Sequence, residues 1–486
     1  MPKHVLLIIS DQCRADAIGA YGNEYAKTPA LDSLASEATV FDRAVTPSPV
    51  CVPARLCMLA GQYANRTGNS NNNPSLMYEG EGVYSAITKT GYDSCCVGKM
   101  HHVWDRYGSL GFNKRYTQEE LSDPEDDYTR YITESPYKYV FDYNGQRSEM
   151  YYVPQVSQLP AEAHPTQWIG DRSVEFINEF DTDKNMFLVS SFIHPHPPFC
   201  PPAPWNKLFR SEDIPDPFIP ETTPELKPLF HKPFDCDRLD ISRLDAKRLK
   251  NFYYASLSFV DYQIGRIVSA LREKRMYDDT LILFVSDHGE CLGDYRNMGK
   301  RSMISSASRI PFIMKVPGKE PCRRSDAVSL VDIAPTLLSY LGIPYDTAEF
   351  DGKDILNNKG DLVFSQYDCK EKGVYMCAGS EDKLIYNAEE QKYYYFDEIP
   401  EVYNKYSEDN GRVMQLKALL DAHIAADRNV KPPKKLGPDG KPIKKKKINP
   451  FGVSRIDHVC RSDEERARMP EGYSIDLQSV DGKNPW

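Results

Sequence analysis

The sequence predicts an α/β fold: a large mixed, mostly parallel sheet flanked by helices, followed by a smaller C-terminal α+β unit. Two observations carry this. Short, nearly continuous apolar runs (Val5 to Ile9, Met186 to Ile193, Thr280 to Ser286) each end in a polar cluster, as central strands buried on both faces do. Helical patterns lie between them, over Thr28 to Ser36, Trp168 to Phe180 and Arg248 to Lys274, and such alternation implies helices on both faces of one sheet. A change of pattern near residue 360 divides the 486-residue chain into a catalytic-sized unit over 1–360 and a small unit over 361–486.

The elements follow in order. Val5 to Ile9 reads as a first strand running into Asp11-Gln12. Pro53 near the start and Gly61 at the end frame a short helix beginning near Cys51. A strand from Tyr92 is expected to continue through Lys99 and His101, so that alternation turns both side chains to one face. Residues 122–160 are rich in Tyr, Asp and Pro with weak periodicity, and read as an irregular insertion near a site entrance. Pro195 to Pro233 is dense in proline and reads as an extended excursion. Beyond residue 360, a Tyr-rich run (Lys392 to Phe396) and a helix (Val413 to Ala426) suggest a short antiparallel sheet with a helix. Lys431 to Lys447 carries a lysine run, either a solvated loop or a loop that binds polyanions. No internal repeat is present.

Composition narrows the function classes. Hydrophobic residues make up 41%, aromatics 11% and charged residues 27%, the balance of a globular chain. A net charge of −10 repels nucleic-acid backbones and argues against a general nucleic-acid binder. No stretch reaches the length of a membrane span. The first apolar run is too short for a secretory signal, so a cytoplasmic location is expected. The twelve cysteines are scattered without C-x-x-C pairs, as buried free thiols in a reducing compartment are.

Ligands of such sheets bind beyond the carboxyl ends of the strands, and Asp11, His196, Asp287 and His288 all fall just after one. Cys51 lies close to a helix N-terminus, where unpaired N–H groups favour an anion. Arg55, four residues on, can share its helical face and add a fixed positive charge. Taken alone, Cys51 reads better as a structural thiol than as a nucleophile.

Cys51-Val52-Pro53-Ala54-Arg55 resembles the C-x-P-x-R motif of the sulfatases, formylglycine-dependent members of the alkaline phosphatase superfamily, with Ala where many have Ser. The resemblance implies that Cys51 is oxidised to formylglycine by a formylglycine-generating or anaerobic sulfatase-maturating enzyme. One hydroxyl of the hydrated aldehyde would attack sulfur, and collapse of the other would expel sulfate. Asp11-Gln12 and Asp287-His288 resemble the family's two metal-ligand pairs. They imply one divalent cation, Ca²⁺ in first place, with Mg²⁺, Mn²⁺ or Zn²⁺ as alternatives. Gly98-Lys99-Met100-His101 resembles the G-K-x-H element. By that resemblance Lys99 binds sulfate oxygens and His101 orients the formylglycine. His196 in Pro195-His196-Pro197-Pro198 and Lys300 after Gly299 resemble the groups that bind sulfate and protonate the leaving oxygen. Similarity in segment order extends through Tyr253 to Gly265, Arg309 to Phe312 and Asp332 to Thr336, so the recognisable part runs from residue 5 to about 353.

The resemblance implies a small anionic sulfate-ester substrate, with sulfated sugars, including glycosaminoglycan fragments, in first place. Asn72 and Asn73, with Asn69 and Asn71, form a polar loop suited to sugar hydroxyls or to plain solvent. His102 and His194 read as substrate-side or structural. Two other functions compete: a phosphonate monoester or phosphodiester hydrolase with the same motif and ligand pairs, and a non-catalytic carbohydrate- or anion-binding protein. Neither a nucleic-acid nor a membrane partner is expected.

Overall fold

The computed structural model describes residues 4–429 except 73–77, 79, 103–104, 121, 141 and 148–149. Asn73 and the Lys431 to Lys447 run therefore lie outside the described residues. Eight strands form the large sheet: β1 (His4–Ser10), β2 (Thr39–Val45), β3 (Asp93–Gly98), β4 (Lys114–Thr117), β5 (Met186–Phe192), β6 (Thr280–Val285), β7 (Phe312–Lys315) and β8 (Cys322–Ser329). Their spatial order is β4-β3-β5-β1-β6-β7-β2-β8. Every neighbouring pair is parallel except the two made by β7.

The three apolar runs are the central strands, and period-two alternation explains why both faces of each are apolar. Leu6 and Ile8 point into a core built with Leu188, Ile282 and Phe284 and covered by the helices Pro29–Ser36, Pro165–Glu179 and Arg243–Glu273. Val5, Leu7 and Ile9 point the other way, onto Phe187, Val189 and Leu283 and the helices Cys51–Ala60, Val83–Lys89 and Ile333–Leu341. Inside the sheet these strands carry apolar residues and small hydroxyls such as Ser190 and Ser191, and each run stops at Asp11, His194 or Asp287.

Parallel register aligns those exits. Ser10 pairs with Phe192, Ile9 with Val285, and Gly98 with Ser191, so β1, β3, β5 and β6 all end along one sheet edge. Behind that edge the long helix Arg243–Glu273 begins at a capping box on Ser242 and Asp245. Its Tyr253 hydroxyl donates to the Gln12 carbonyl and accepts from Arg14 N–H, each at 2.8 Å, fixing the turn after β1.

One sequence expectation fails here. The strand from Tyr92 does not continue through Lys99 and His101; β3 ends at Gly98, whose φ is +98°. A Cβ there would meet the Ser191 carbonyl oxygen at 2.1 Å, so only glycine allows the chain to turn off the sheet. His101 is also left-handed, at φ +56°. Lys99 and His101 are therefore brought together by a turn and not by strand alternation.

The small sheet follows, with antiparallel order β12-β11-β10-β9: β9 (Val363–Tyr367), β10 (Val374–Ala378), β11 (Lys383–Asn387) and β12 (Lys392–Phe396). The helix Gly411–Ala425 packs on one face through Val413, Leu416 and Leu420. The opposite face, including Met376, Ile385 and Tyr394, shares a core with Val50, Cys291, Met303 and Ile304 of the large unit. All eleven cysteines among the described residues are free. No helix among them is long and apolar enough to cross a membrane.

Candidate active site

The helix Cys51–Ala60 starts beneath the aligned strand ends and places Cys51 in its first turn. Every residue of this helix is buried, Arg55 included, at 1% exposure. A buried guanidinium needs fixed carboxylates, and this one has two. Its Nε donates to Asp287 Oδ2 at 2.8 Å and its Nη2 to Asp11 Oδ2 at 3.2 Å. The remaining guanidinium nitrogen donates to the Lys99 carbonyl (2.7 Å) and to Ser191 Oγ (3.0 Å). Arg55 thus ties the ends of β1, β3, β5 and β6 to the Cys51 helix. Lys99, also fully buried, ion-pairs with Asp11 Oδ2 and with Glu120.

These contacts use one oxygen of each aspartate and leave the other facing inward. Asp11 Oδ1 lies 3.8 Å from Cys51 Sγ and 3.8 Å from His288 Nε2; Asp287 Oδ1 lies 3.7 Å from the same nitrogen. His288 Nδ1 is 3.0 Å from the Gly289 carbonyl, which only accepts, so Nδ1 carries the proton and Nε2 presents a lone pair. Burial and Lys300 hold the His288 pKa down, at about 4. Asp287 titrates far below the ordinary carboxylate range: burial opposes this, but His288, Arg55 and Lys99 outweigh it. Burial and Asp287 likewise push the Asp11 pKa up, and Lys99, His196 and Arg55 overcome them.

Ligand atoms of Asp11, Cys51, Asp287 and His288 therefore converge within 4.8 Å of one another, all buried. Asp287 Oδ1 also accepts the His288 backbone N–H at 3.0 Å, and Lys300 Nζ lies 3.3 Å from His288 Nε2; two carboxylate oxygens and an imidazole lone pair this close together suit a hard divalent ion. Gln12 reaches this group differently. Its backbone N–H donates to Asp287 Oδ1 (3.0 Å), its amide oxygen accepts from Lys300 Nζ (2.8 Å), and its amide nitrogen donates to Glu290.

Cys51 Sγ sits 3.1 Å from His288 Nε2 and receives Lys300 Nζ at 2.9 Å. Burial and Asp11 nonetheless raise its pKa to about 11 despite Lys300 and Lys99, so the thiol stays protonated at neutral pH. His196 comes in from the segment after β5, its Nδ1 2.6 Å from the Pro197 carbonyl and its Nε2 3.6 Å from Glu120 Oε1. His101 Nδ1 is 3.7 Å from that oxygen.

Of the other residues singled out from sequence, Asn72 is exposed, and its side-chain oxygen accepts from Val52 N–H at 3.1 Å, in the first turn of the Cys51 helix. His102 is fully buried, and burial depresses its pKa strongly. His194 lies in a separate buried cluster with His164 and Cys200.

Three contributors were not anticipated: Glu120, Arg147 and Tyr151. Glu120 contacts Lys99, His101, His196 and Arg147. It follows β4, a four-residue edge strand (Lys-Arg-Tyr-Thr) with no apolar run to mark it. The parallel pairing of β4 with β3 is what delivers Glu120 to the common edge.

The family model for sulfatases matches residues 3–343, most of the chain. The chain belongs to the sulfatase family. Among curated proteins it is 28% identical over 429 residues to an arylsulfatase of Clostridium perfringens, covering 82% of this chain and 88% of that protein. It is 27% identical over 407 residues to iduronate 2-sulfatase of Mus musculus, covering 70% and 69% respectively. Among solved structures, the phosphonate monoester hydrolase of Agrobacterium radiobacter superposes with a TM-score of 0.75 at 22% identity, covering 90% of this chain and 99% of that one, a likeness of fold. This sulfatase is thus an enzyme of the family to which its motifs pointed.

Proposed function

We propose that this sulfatase hydrolyses sulfate monoesters of carbohydrates, using Cys51 matured to formylglycine and one divalent cation, Ca²⁺ in first place. The observation that carries the reading is the convergence on Cys51 Sγ of a cation-type donor set (Asp11, Asp287, His288) and a lysine, Lys300. Asp11, Asp287 and His288 would hold the ion, with the Gln12 amide oxygen beside them. The bound ion supplies Lewis acidity, drawing charge from a sulfate oxygen and lowering the pKa of the attacking hydroxyl. The matured, hydrated side chain supplies that hydroxyl; the thiol itself is held protonated and is a poor nucleophile.

The chain's own groups do the rest. Arg55 anchors both aspartates, so they cannot swing when substrate arrives. Lys99, His101 and His196 surround one position on the solvent side of Cys51 and would bind sulfate oxygens there. Lys300, within hydrogen-bond reach of residue 51, would steady the nucleophile and donate a proton to the leaving oxygen. Arg55, Lys99 and Lys300, with Arg147 on Glu120, stand among the carboxylates Asp11, Asp287 and Glu120. A bound dication would shift the balance further towards positive and favour an anion. The iduronate 2-sulfatase relative supports a sugar substrate, and a maturating enzyme is the partner this reading requires.

A phosphonate monoester hydrolase is the second reading, favoured by the Asp11-Gln12 and Asp287-His288 pairs that such enzymes share. Aryl sulfate and aryl phosphonate ester rates on one preparation separate the two. Faster sulfate turnover, with intact mass showing conversion of Cys51, is the expected result. A large phosphonate preference would overturn it. An unconverted thiol in the native host would favour a binding protein instead.

A further inference from the structure

Glu120 has no counterpart among the residues expected from sequence, yet it sits where the substrate's anionic group is needed. One of its oxygens, Oε1, pairs with Lys99 Nζ and lies near His101 Nδ1 (3.7 Å) and His196 Nε2 (3.6 Å), both beyond hydrogen-bond length. These are the three groups that the proposed function assigns to sulfate oxygens. A carboxylate oxygen of Glu120, Cys51 Sγ and a His196 nitrogen also lie within 4.8 Å of each other, so the carboxylate stands directly before the nucleophile's position. A sulfate oxygen and this carboxylate oxygen carry like charge and both need the Lys99 ammonium, so they cannot occupy the place together.

The surroundings fit a carboxylate that can be displaced. Lys99 is fully buried, whereas the Glu120 side chain keeps 15% exposure, placing it on the solvent side of the pocket. Its other oxygen, Oε2, is already held by Arg147 Nη2 at 3.2 Å. Arg147 in turn lies over the Tyr151 ring at 5.8 Å, and that ring packs edge-on against His196 at 6.4 Å. When Glu120 turns away from Lys99, Arg147 can keep its charge paired, so displacement does not strand a buried anion. The Glu120 backbone is held independently, its carbonyl accepting from the Asn144 amide at 3.2 Å, so the side chain can turn without the loop moving.

We propose that Glu120 is a specificity-determining residue whose carboxylate occupies the sulfate position of the free enzyme and must be displaced by the anionic group of the substrate. This rests on the assignment of Lys99, His101 and His196 to that group. Displacement sets a threshold: an anion gains entry only if its contacts to the nucleophile, the cation and Lys300 exceed those Glu120 gives up. The site therefore rejects weakly matched carboxylates while admitting a tetrahedral oxyanion that satisfies every donor at once.

The test is binding of inorganic sulfate to the full-length protein by calorimetry, with saturating divalent cation, for wild type, Glu120→Gln and Glu120→Asp. Thermal unfolding establishes which variants are folded. Glu120→Gln is expected to bind sulfate at least about tenfold more tightly, because a like charge at contact range is gone. Glu120→Asp keeps the charge but pulls it back by one methylene, and should fall between the other two. KM for an aryl sulfate should drop in the same order. A folded variant that binds sulfate no more tightly than wild type overturns the proposal and makes Glu120 a fixed support for Lys99. Sulfate binding needs no turnover, so the result stands apart from whether sulfate or phosphonate esters are the better substrates.

Discussion

Among the described residues, buried groups around Cys51 and around Cys200 each combine histidine with cysteine, and they differ in fixed charge. In one, Cys51 meets His288 among Asp11, Asp287, Arg55, Lys99 and Lys300. In the other, Cys200 meets His194 and His164, and the bonds close on neutral partners. His194 Nδ1 faces Thr166 Oγ1 at 3.0 Å and its Nε2 the Cys200 thiol at 3.6 Å. His164 Nδ1 accepts Thr166 N–H at 3.2 Å and its Nε2 faces the Cys200 carbonyl at 3.3 Å. Both thiols are held protonated by burial, Cys51 at about 11 and Cys200 at about 12. Thiol acidity therefore does not separate the cluster proposed to be reactive from the other. The difference is electrostatic preorganisation: only around Cys51 are charges fixed in place before an anion arrives.

The sharpest test of that contrast is Cys51→Ala. Loss of a covalent nucleophile should cut turnover on the order of 10⁶-fold. The fold should survive, because alanine fits a buried first-turn position, and circular dichroism with a kinetic assay would show both. Substantial remaining turnover would break the comparison at its root.

Next comes the charge around Cys51. Asp287→Asn keeps the shape of the site but removes one carboxylate charge from both Arg55 and the inward-facing set. Turnover should fall about 10²–10³-fold, the usual cost of one preorganised group, and divalent-cation affinity measured by calorimetry should weaken with it. Chelation of the wild-type enzyme should stop turnover, and added Ca²⁺ should restore it. Activity indifferent to chelation would remove the cation from the argument.

Lys300→Ala probes a smaller, graded effect. If Lys300 donates the proton to the leaving oxygen, esters with poor leaving groups should lose about 10²-fold, and activated aryl sulfates much less. Equal losses across a leaving-group series would limit Lys300 to steadying the nucleophile.

How much of this could be read from the chain follows from burial. Central strands β1, β5 and β6 announce themselves because both faces need apolar side chains, and their ends mark Asp11, His196 and Asp287 without coordinates. The edge strands do not. β8 begins Cys-Arg-Arg-Ser-Asp and β4 is Lys-Arg-Tyr-Thr, since an edge faces solvent and tolerates charge. Glu120 was invisible for that reason: nothing local distinguishes it from a surface glutamate, and only the pairing of β4 with β3 brings it to Lys99. Arg147 and Tyr151 were hidden inside an insertion whose weak periodicity gives no face to read. The turn at Gly98 shows the converse. The motif named Lys99 and His101 correctly as neighbours, but strand alternation was the wrong reason, because a glycine at positive φ had already ended the strand.

The smallest expected effect lies in the second cluster, and it completes the contrast. Cys200→Ala removes one weak S–H contact to His194 and leaves the imidazole bonded to Thr166 through its other nitrogen. Stability to denaturant should fall by about 0.5–1.5 kcal/mol, the size of one modest buried hydrogen bond, with turnover unchanged. No charge is stranded, because burial keeps His194 neutral, its pKa near 4, so the neighbours have nothing to compensate. A loss of turnover comparable to that of Asp287→Asn would mean that this neutral cluster is coupled to His196 through the intervening prolines, and charge would no longer be what distinguishes the two groups.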